Sequence, residues 1–345
     1  MQHPTISRRP PTPGILAVFA LVLGCGDALA PSGANVDDGD VDLGPETAGP
    51  VSHSNPMTGA TFYVDPSSKA RRTADEWRAT RPADAAQLDK VAAQSIARWF
   101  GNWNTDIRGD VARAVDAMTA AGALPVLVAY NIPLRDCGSY SAGGADGADA
   151  YRAWIDGFAA GIGGRSAVVV LEPDALAGMG CLSGADQTTR LELIRHAVGA
   201  FGSFGATAVY IDAGNNRWQS PATIAARLVA AGIEHAAGFA LNVSNFFSTA
   251  DETSYGNAIS ARVGGKHYLI DTSRNGLGAT DDAQWCNPEG RALGERPTTD
   301  TGNPLVDAYL WIKVPGESDG SCNGNPPSGT WMPEYALGLA QRAAY

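Results

Sequence analysis

The residues best placed to do chemistry in this chain stand just after short apolar runs. Tyr130, then Arg135-Asp136, follows the run Pro125–Tyr130, and Glu172-Pro173-Asp174 follows Ala167–Leu171. Asp212 closes Thr207–Ile211, Asn242 closes Gly238–Leu241, Asp271 closes Tyr268–Ile270, and the stretch from Lys313 to Asp319 follows Ala308–Ile312. Carboxylates in such positions suit acid–base work, in which one group keeps its proton near neutral pH and another stays ionised. A carboxyl keeps its proton there only in apolar surroundings or beside another negative charge. Asp174 follows a hydrophobic run, where it could be partly desolvated, and Asp136 could supply the neighbouring charge. Each acid taken singly could instead cap the helix that follows it. So many together weaken that alternative.

The elements that must position these side chains read clearly. Apolar or β-branched runs at Thr61–Val64, Ile96–Phe100 and the six runs above alternate with Ala-rich amphipathic segments. The helices are expected at Asp84–Ala93, Val111–Ala121, Tyr151–Gly161, Gln187–Phe201, Pro221–Ala231 and Asp251–Val263. Such alternation argues for parallel strands joined by helical crossovers. The expected fold is α/β, a distorted (β/α) barrel of seven or eight parallel strands with the active site at the strand C-terminal ends. A doubly wound open sheet is the alternative.

Bulk properties bound the partners. The chain has 345 residues, 44% hydrophobic and 18% charged, with a formal net charge of −11. An acidic protein repels phosphate backbones, so nucleic acid is not an expected partner. Histidines at 3, 53, 196, 235 and 267 form no ligand spacing, and no Gly-rich phosphate cradle appears, so neither a metal nor a cofactor is expected. Arg8 and Arg9 precede an apolar run from Ile15 to Leu23, the pattern of an export signal and too short to span a membrane. Its end, Val22-Leu23-Gly24-Cys25, resembles the bacterial lipobox, which implies lipidation at Cys25 as the one link to a membrane. Residues 26–59, acidic and rich in Pro, Gly and Ser, read as a flexible tether. The expected organisation is therefore a signal over 1–25, a linker over 26–59 and a catalytic domain over 60–345, acting as a monomer.

Four longer segments carry a resemblance. Val128 to Gly144 (VAYNIPLRDCGSYSAGG) and Val168 to Ala177 (VVVLEPDALA) resemble the signature patterns of glycoside hydrolase family 6, which contains endoglucanases and cellobiohydrolases. Trp311 to Gly320 (WIKVPGESDG), and Asp271 to Gly276 followed by Trp285-Cys-Asn-Pro, are similar to it as well. The resemblance runs from about residue 60 onward and implies inverting hydrolysis of a β-1,4-glucan. It makes Asp174 the general acid, Asp136 the aspartate that raises its pKa, and Asp319 the base, acting directly or through a water. Tyr130 matches the tyrosine that favours sugar distortion. Lys313 and Glu317 match sugar-hydroxyl ligands, Trp99, Trp218 and Trp285 match stacking platforms, and Asp212 matches a further active-site acid. Asn242, the strand-end amide, joins the sugar-binding set. Glu172 reads as structural, and Trp103 and Trp154 as core residues. The family pattern pairs Cys137 with Cys181 and Cys286 with Cys322. Asn215 stands where the family often has histidine, and Ser141, or else Ser139, matches its water-positioning serine. The short stretch from Cys286 to Lys313 leaves little room for a tunnel-forming insertion, which favours endo action. An exo-acting cellobiohydrolase and a non-catalytic surface glucan-binding lipoprotein are the alternatives.

Overall fold

The computed structural model describes residues 54–345. The expected signal, the lipidation at Cys25 and the tether as far as residue 53 lie outside the described residues. Seven strands form one parallel sheet in the order β1-β2-β3-β4-β5-β6-β7. They are β1 Arg98–Gly101, β2 Val126–Tyr130, β3 Ala167–Leu171, β4 Thr207–Asp212, β5 Gly238–Leu241, β6 His267–Asp271 and β7 Val306–Leu310. Sequential order without reversal means that every crossover steps the same way round. That is barrel winding, and it rejects the doubly wound alternative, in which the order reverses at a switch point.

Both faces of the strands are buried, as their unbroken apolar runs require. Leu127, Ala129, Val169, Leu171, Ile211 and Phe239 face outward into the helices. Val128, Tyr130, Val168, Val170, Tyr210, Ala240 and Leu310 face inward and fill the barrel. Closure is incomplete. Between β1 and the segment after β7 the links are the Ala97 N–H to the Trp311 carbonyl at 2.9 Å and Trp99 Nε1 to the Ile312 carbonyl at 2.7 Å.

The eighth strand expected at Thr61–Val64 does not form. Phe62 makes one isolated parallel bridge to Leu124, while Val64 is exposed. This segment instead fills the barrel, with Met57 fully buried in the interior cluster and Ala60 and Phe62 packed against it. The folded chain thus begins upstream of residue 60.

The helices are α1 Lys69–Trp77, α2 Pro82–Ala92, α3 Ile107–Ala120, α4 Ala148–Ile162, α5 Gly184–Gly202, α6 Pro221–Ala230, α7 Thr249–Ser260 and α8 Pro333–Gln341. Two were not anticipated. The α1 sequence is charge-rich and buries only small residues, Ala70, Thr73 and Ala74, so it carries no large apolar stripe. The side-chain caps of the helices are Ser68, Asp106, Ser183, Ser220 and Ser248. None of the strand-end acids caps a helix, which leaves those carboxylates for other work.

Candidate active site

The C-terminal ends of the strands open into one cleft of ≈1260 Å³. Of the residues singled out in the sequence, Trp99, Tyr130, Asp136, Asp174, Trp218, Trp285, Lys313, Glu317 and Asp319 line it. Asn215 and Ser141 line it too.

Asp174 is half-buried in the wall after β3, at φ +70°. Burial pushes its carboxyl up to about 7, and the charges of Asp136 and Asp319 add to the shift while Lys313 opposes it. Near neutral pH this group can hold a proton to give away. Asp136 sits in a short turn, where its Oδ2 accepts the Ser141 N–H at 2.7 Å. The loop is held from within by Arg135, a buried guanidinium. It donates to the carbonyls of Tyr130 at 2.7 Å, Ser141 at 2.8 Å and Ala142 at 3.3 Å. It also lies 4.2 Å from the Tyr130 ring centre. A disulfide from Cys137 to Cys181 ties this loop to the one after Asp174.

Asp319 has the opposite environment. It is 5% exposed, and its Oδ2 accepts from Arg274 Nη1 at 2.9 Å and from the Asn287 N–H at 3.0 Å. Its Oδ1 lies 3.1 Å from Lys313 Nζ. Burial alone would raise its pKa, but the Arg274 and Lys313 charges outweigh it and hold the carboxyl below its ordinary range. The second disulfide, Cys286 to Cys322, fastens the loops that carry Asn287 and Asp319. Asp271 positions Lys313 from behind. Its two oxygens accept backbone N–H groups from Ser244, Ser273, Ile312 and Lys313 at 2.9–3.3 Å. The cleft therefore holds one carboxyl poised to be protonated and one locked as an anion.

The sequence profile of the glycosyl hydrolases family 6 matches residues 57–343. The chain belongs to glycosyl hydrolases family 6. It is 46% identical over 292 residues to Endoglucanase A of Cellulomonas fimi, covering 84% of this chain and 63% of that protein. It thus spans about three-fifths of that relative's length. Endoglucanase 1 of Streptomyces halstedii is 44% identical over 303 residues, covering 84% of this chain and 92% of that protein. Among solved structures, the endoglucanase Cel6 of Mycobacterium tuberculosis in complex with methyl-cellobiosyl-4-deoxy-4-thio-β-D-cellobioside superposes with a TM-score of 0.81. The two are 48% identical, with 84% of this chain and 99% of that one covered.

In this family 6 chain two expected sugar ligands stand behind the cleft wall. Asn242 is fully buried, and its side chain is spent on structure: Nδ2 donates to the carbonyls of Phe247 and Asp271, and Oδ1 accepts the Phe247 N–H. Asp212 is 1% exposed, and its Oδ1 accepts the N–H groups of Asp174 at 2.9 Å and Gly214 at 3.0 Å. It therefore orients the backbone of Asp174. Glu172 accepts the N–H groups of Asn131 and Ile132, a structural tie. Ser141 faces the cleft, and its Oγ lies 3.2 Å from that of Ser328. Asn215 accepts from the Arg217 N–H and shapes the turn that presents Trp218. Glu317 pairs with Lys69 at 2.7 Å.

Reading the sequence missed several cleft residues. Trp103, expected in the core, is 54% exposed and lines the cleft, whereas Trp154 packs edge-on against Phe158. The polar neighbours of Trp103, Asn102 and Asn104, were the available signal. Lys69, which also lines the cleft, gave none, because it acts through Glu317 far along the chain. Arg274 and Asn287, within the segments Asp271 to Gly276 and Trp285-Cys-Asn-Pro, hold Asp319 from behind the cleft wall.

The buried acids fix a pH dependence of stability. Burial raises Glu172 and Asp174 to about 7 and Glu252, wholly buried on α7, to about 8. Unfolded carboxyls titrate near ~4. Above that the unfolded chain releases these protons while the folded one keeps them, so stability falls as pH rises through the folded values. We expect the melting temperature to drop between about pH 5 and pH 8. A flat or rising profile across that interval would contradict it.

Proposed function

We propose that this chain hydrolyses internal β-1,4-glucosidic bonds of cellulose or related β-glucans with inversion at the anomeric carbon. The observation that carries the reading is the pairing of unlike carboxyls across one cleft, with Asp174 raised to about 7 and Asp319 held low. Asp174 gives its proton to the glycosidic oxygen as the C–O bond breaks. Asp136, negative and close by, keeps that proton on Asp174 in the resting enzyme and offsets positive charge developing on the sugar. A water attacks from the opposite face and loses its proton toward Asp319. Asp319 accepts from Arg274 and Asn287 and is ion-paired with Lys313, so it is a weak base, and the proton reaches it directly or through a second water. Tyr130, pressed against Trp99 with ring centres 5.2 Å apart, supports the sugar at the point of cleavage.

The named bacterial relatives are endoglucanases, which supports endo action. Two contacts favour the exo reading. The Ser141–Ser328 pair and the Tyr140–Trp285 ring contact, 5.8 Å between centres, both reach across loops that border the cleft. Viscosity of carboxymethylcellulose followed against released reducing ends separates the two. Endo action drops viscosity early, and cellobiose release at nearly constant viscosity would reject it. We expect proton NMR of the nascent reducing end to show the α-anomer first; a β-anomer appearing first would reject inversion. Residues 1–25 as an export signal, with lipid on Cys25, belong to the same reading, and mass spectrometry of the mature N-terminus tests them.

A further inference from the structure

We propose that Trp103 forms an outer sugar-binding subsite, a stacking platform for a glucosyl residue beyond those held nearer the catalytic carboxyls. This rests on the β-glucan reading above. The indole lies two residues past β1 and is 54% exposed in the wall of the same cleft as Trp99, Trp218 and Trp285. A single exposed tryptophan on a convex surface would mean little. Three features set this one apart. The ring rests on Gly101, where even a methyl group would overlap it, so its pose is fixed by the backbone beneath. The Arg135 guanidinium lies 5.9 Å from the Trp103 ring centre and 4.2 Å from that of Tyr130, while Trp99 is the ring packed directly on Tyr130 at 5.2 Å, so the indole of Trp103 is a further aromatic surface on the same side of the cleft. The donors of Arg135 are spent on the loop carbonyls of Tyr130, Ser141 and Ala142. What remains for a ligand here is a flat apolar face, which suits the C–H face of a neutral sugar ring.

A platform outside the cleavage point is felt only by chains long enough to reach it. The test compares kcat/KM on cellotetraose and cellohexaose for the wild type, W103A and W103F. We expect W103A to lose about tenfold on cellohexaose, mainly through KM, with a clearly smaller loss on cellotetraose. W103F, which keeps a flat ring, should recover most of the loss. Equal losses on both substrates would make Trp103 a structural residue and overturn the proposal, as would no loss on cellohexaose or a W103F as poor as W103A. A wild-type enzyme inactive on both oligosaccharides would instead overturn the β-glucan reading on which the proposal rests.

Discussion

Asp174→Asn is expected to lose roughly a thousandfold in kcat on unactivated glucans. Asparagine is the better replacement because the residue sits at φ +70°, a conformation that Asn tolerates and Ala does not. The variant keeps the shape and the backbone N–H bond to Asp212 but has no proton to give. An aryl cellobioside with an acidic phenol as leaving group needs little protonation, so its cleavage should fall far less. Equal loss on both substrates would remove Asp174 from the acid's role. The pH profile carries a second mark. With the carboxyl raised to about 7, the wild-type rate should fall on the alkaline side as pH passes that value. In Asp136→Asn a negative neighbour is gone, the proton on Asp174 is held less tightly, and the alkaline limb should move to lower pH. A limb that stays in place would show that Asp136 does not tune its neighbour.

Arg274→Met should be the most destabilising single change near the cleft, at about 3–5 kcal/mol. Arg274 is fully buried, stacks 4.1 Å from the Phe246 ring centre and is one of two cations facing Asp319. Methionine can fill most of the volume and keep the contact with Phe246. It cannot answer the charge, so Asp319 is left as a buried anion with Lys313 alone. The sign with pH follows from the direction of the shift. In the wild type the Asp319 pKa is depressed, so its contribution is present above about pH 4 and fades as pH falls through the folded value. In the variant, burial acts on Asp319 with less opposition, its pKa rises, and protonation relieves the strain. The gap in urea stability between wild type and variant should therefore narrow between about pH 7 and pH 4. A gap that is constant with pH would mean that lost packing, and not the orphaned charge, sets the effect.

Much of the scaffold was open to inspection in the residues alone. The seven strands from β1 to β7 and the six helices expected from the sequence all exist, because an unbroken apolar run followed by an Ala-rich amphipathic stretch has few other ways to bury itself. The run at Thr61–Val64 misled because periodicity reports burial and not pairing. Phe62 packs against the barrel interior as expected of a strand residue, yet one bridge to Leu124 is all the ladder it makes. Helix α1 was missed for the opposite reason: it buries little and makes its ties through charge.

The carboxylates show where local sequence stops and tertiary structure begins. Asp174, Asp212 and Asp271 all stand at or just past strand ends, and position alone marks all three as candidates, with Asp174 set apart by the resemblance. Residue type and order determined that acids gather at the C-terminal rim of a parallel barrel, since each strand must deliver its last residue to the same end. Which acid faces the cleft, and with what affinity for its proton, was decided by the fold. Asp271 spends its oxygens on four backbone N–H groups, Asp212 turns to the backbone of Asp174, and only Asp174 is left looking into the cleft. Asp319 became the anion of the pair because Arg274, 45 residues away, is folded against it. A proton's affinity is set by distances to charges and by loss of water, and both are properties of through-space neighbours, which a linear order does not contain.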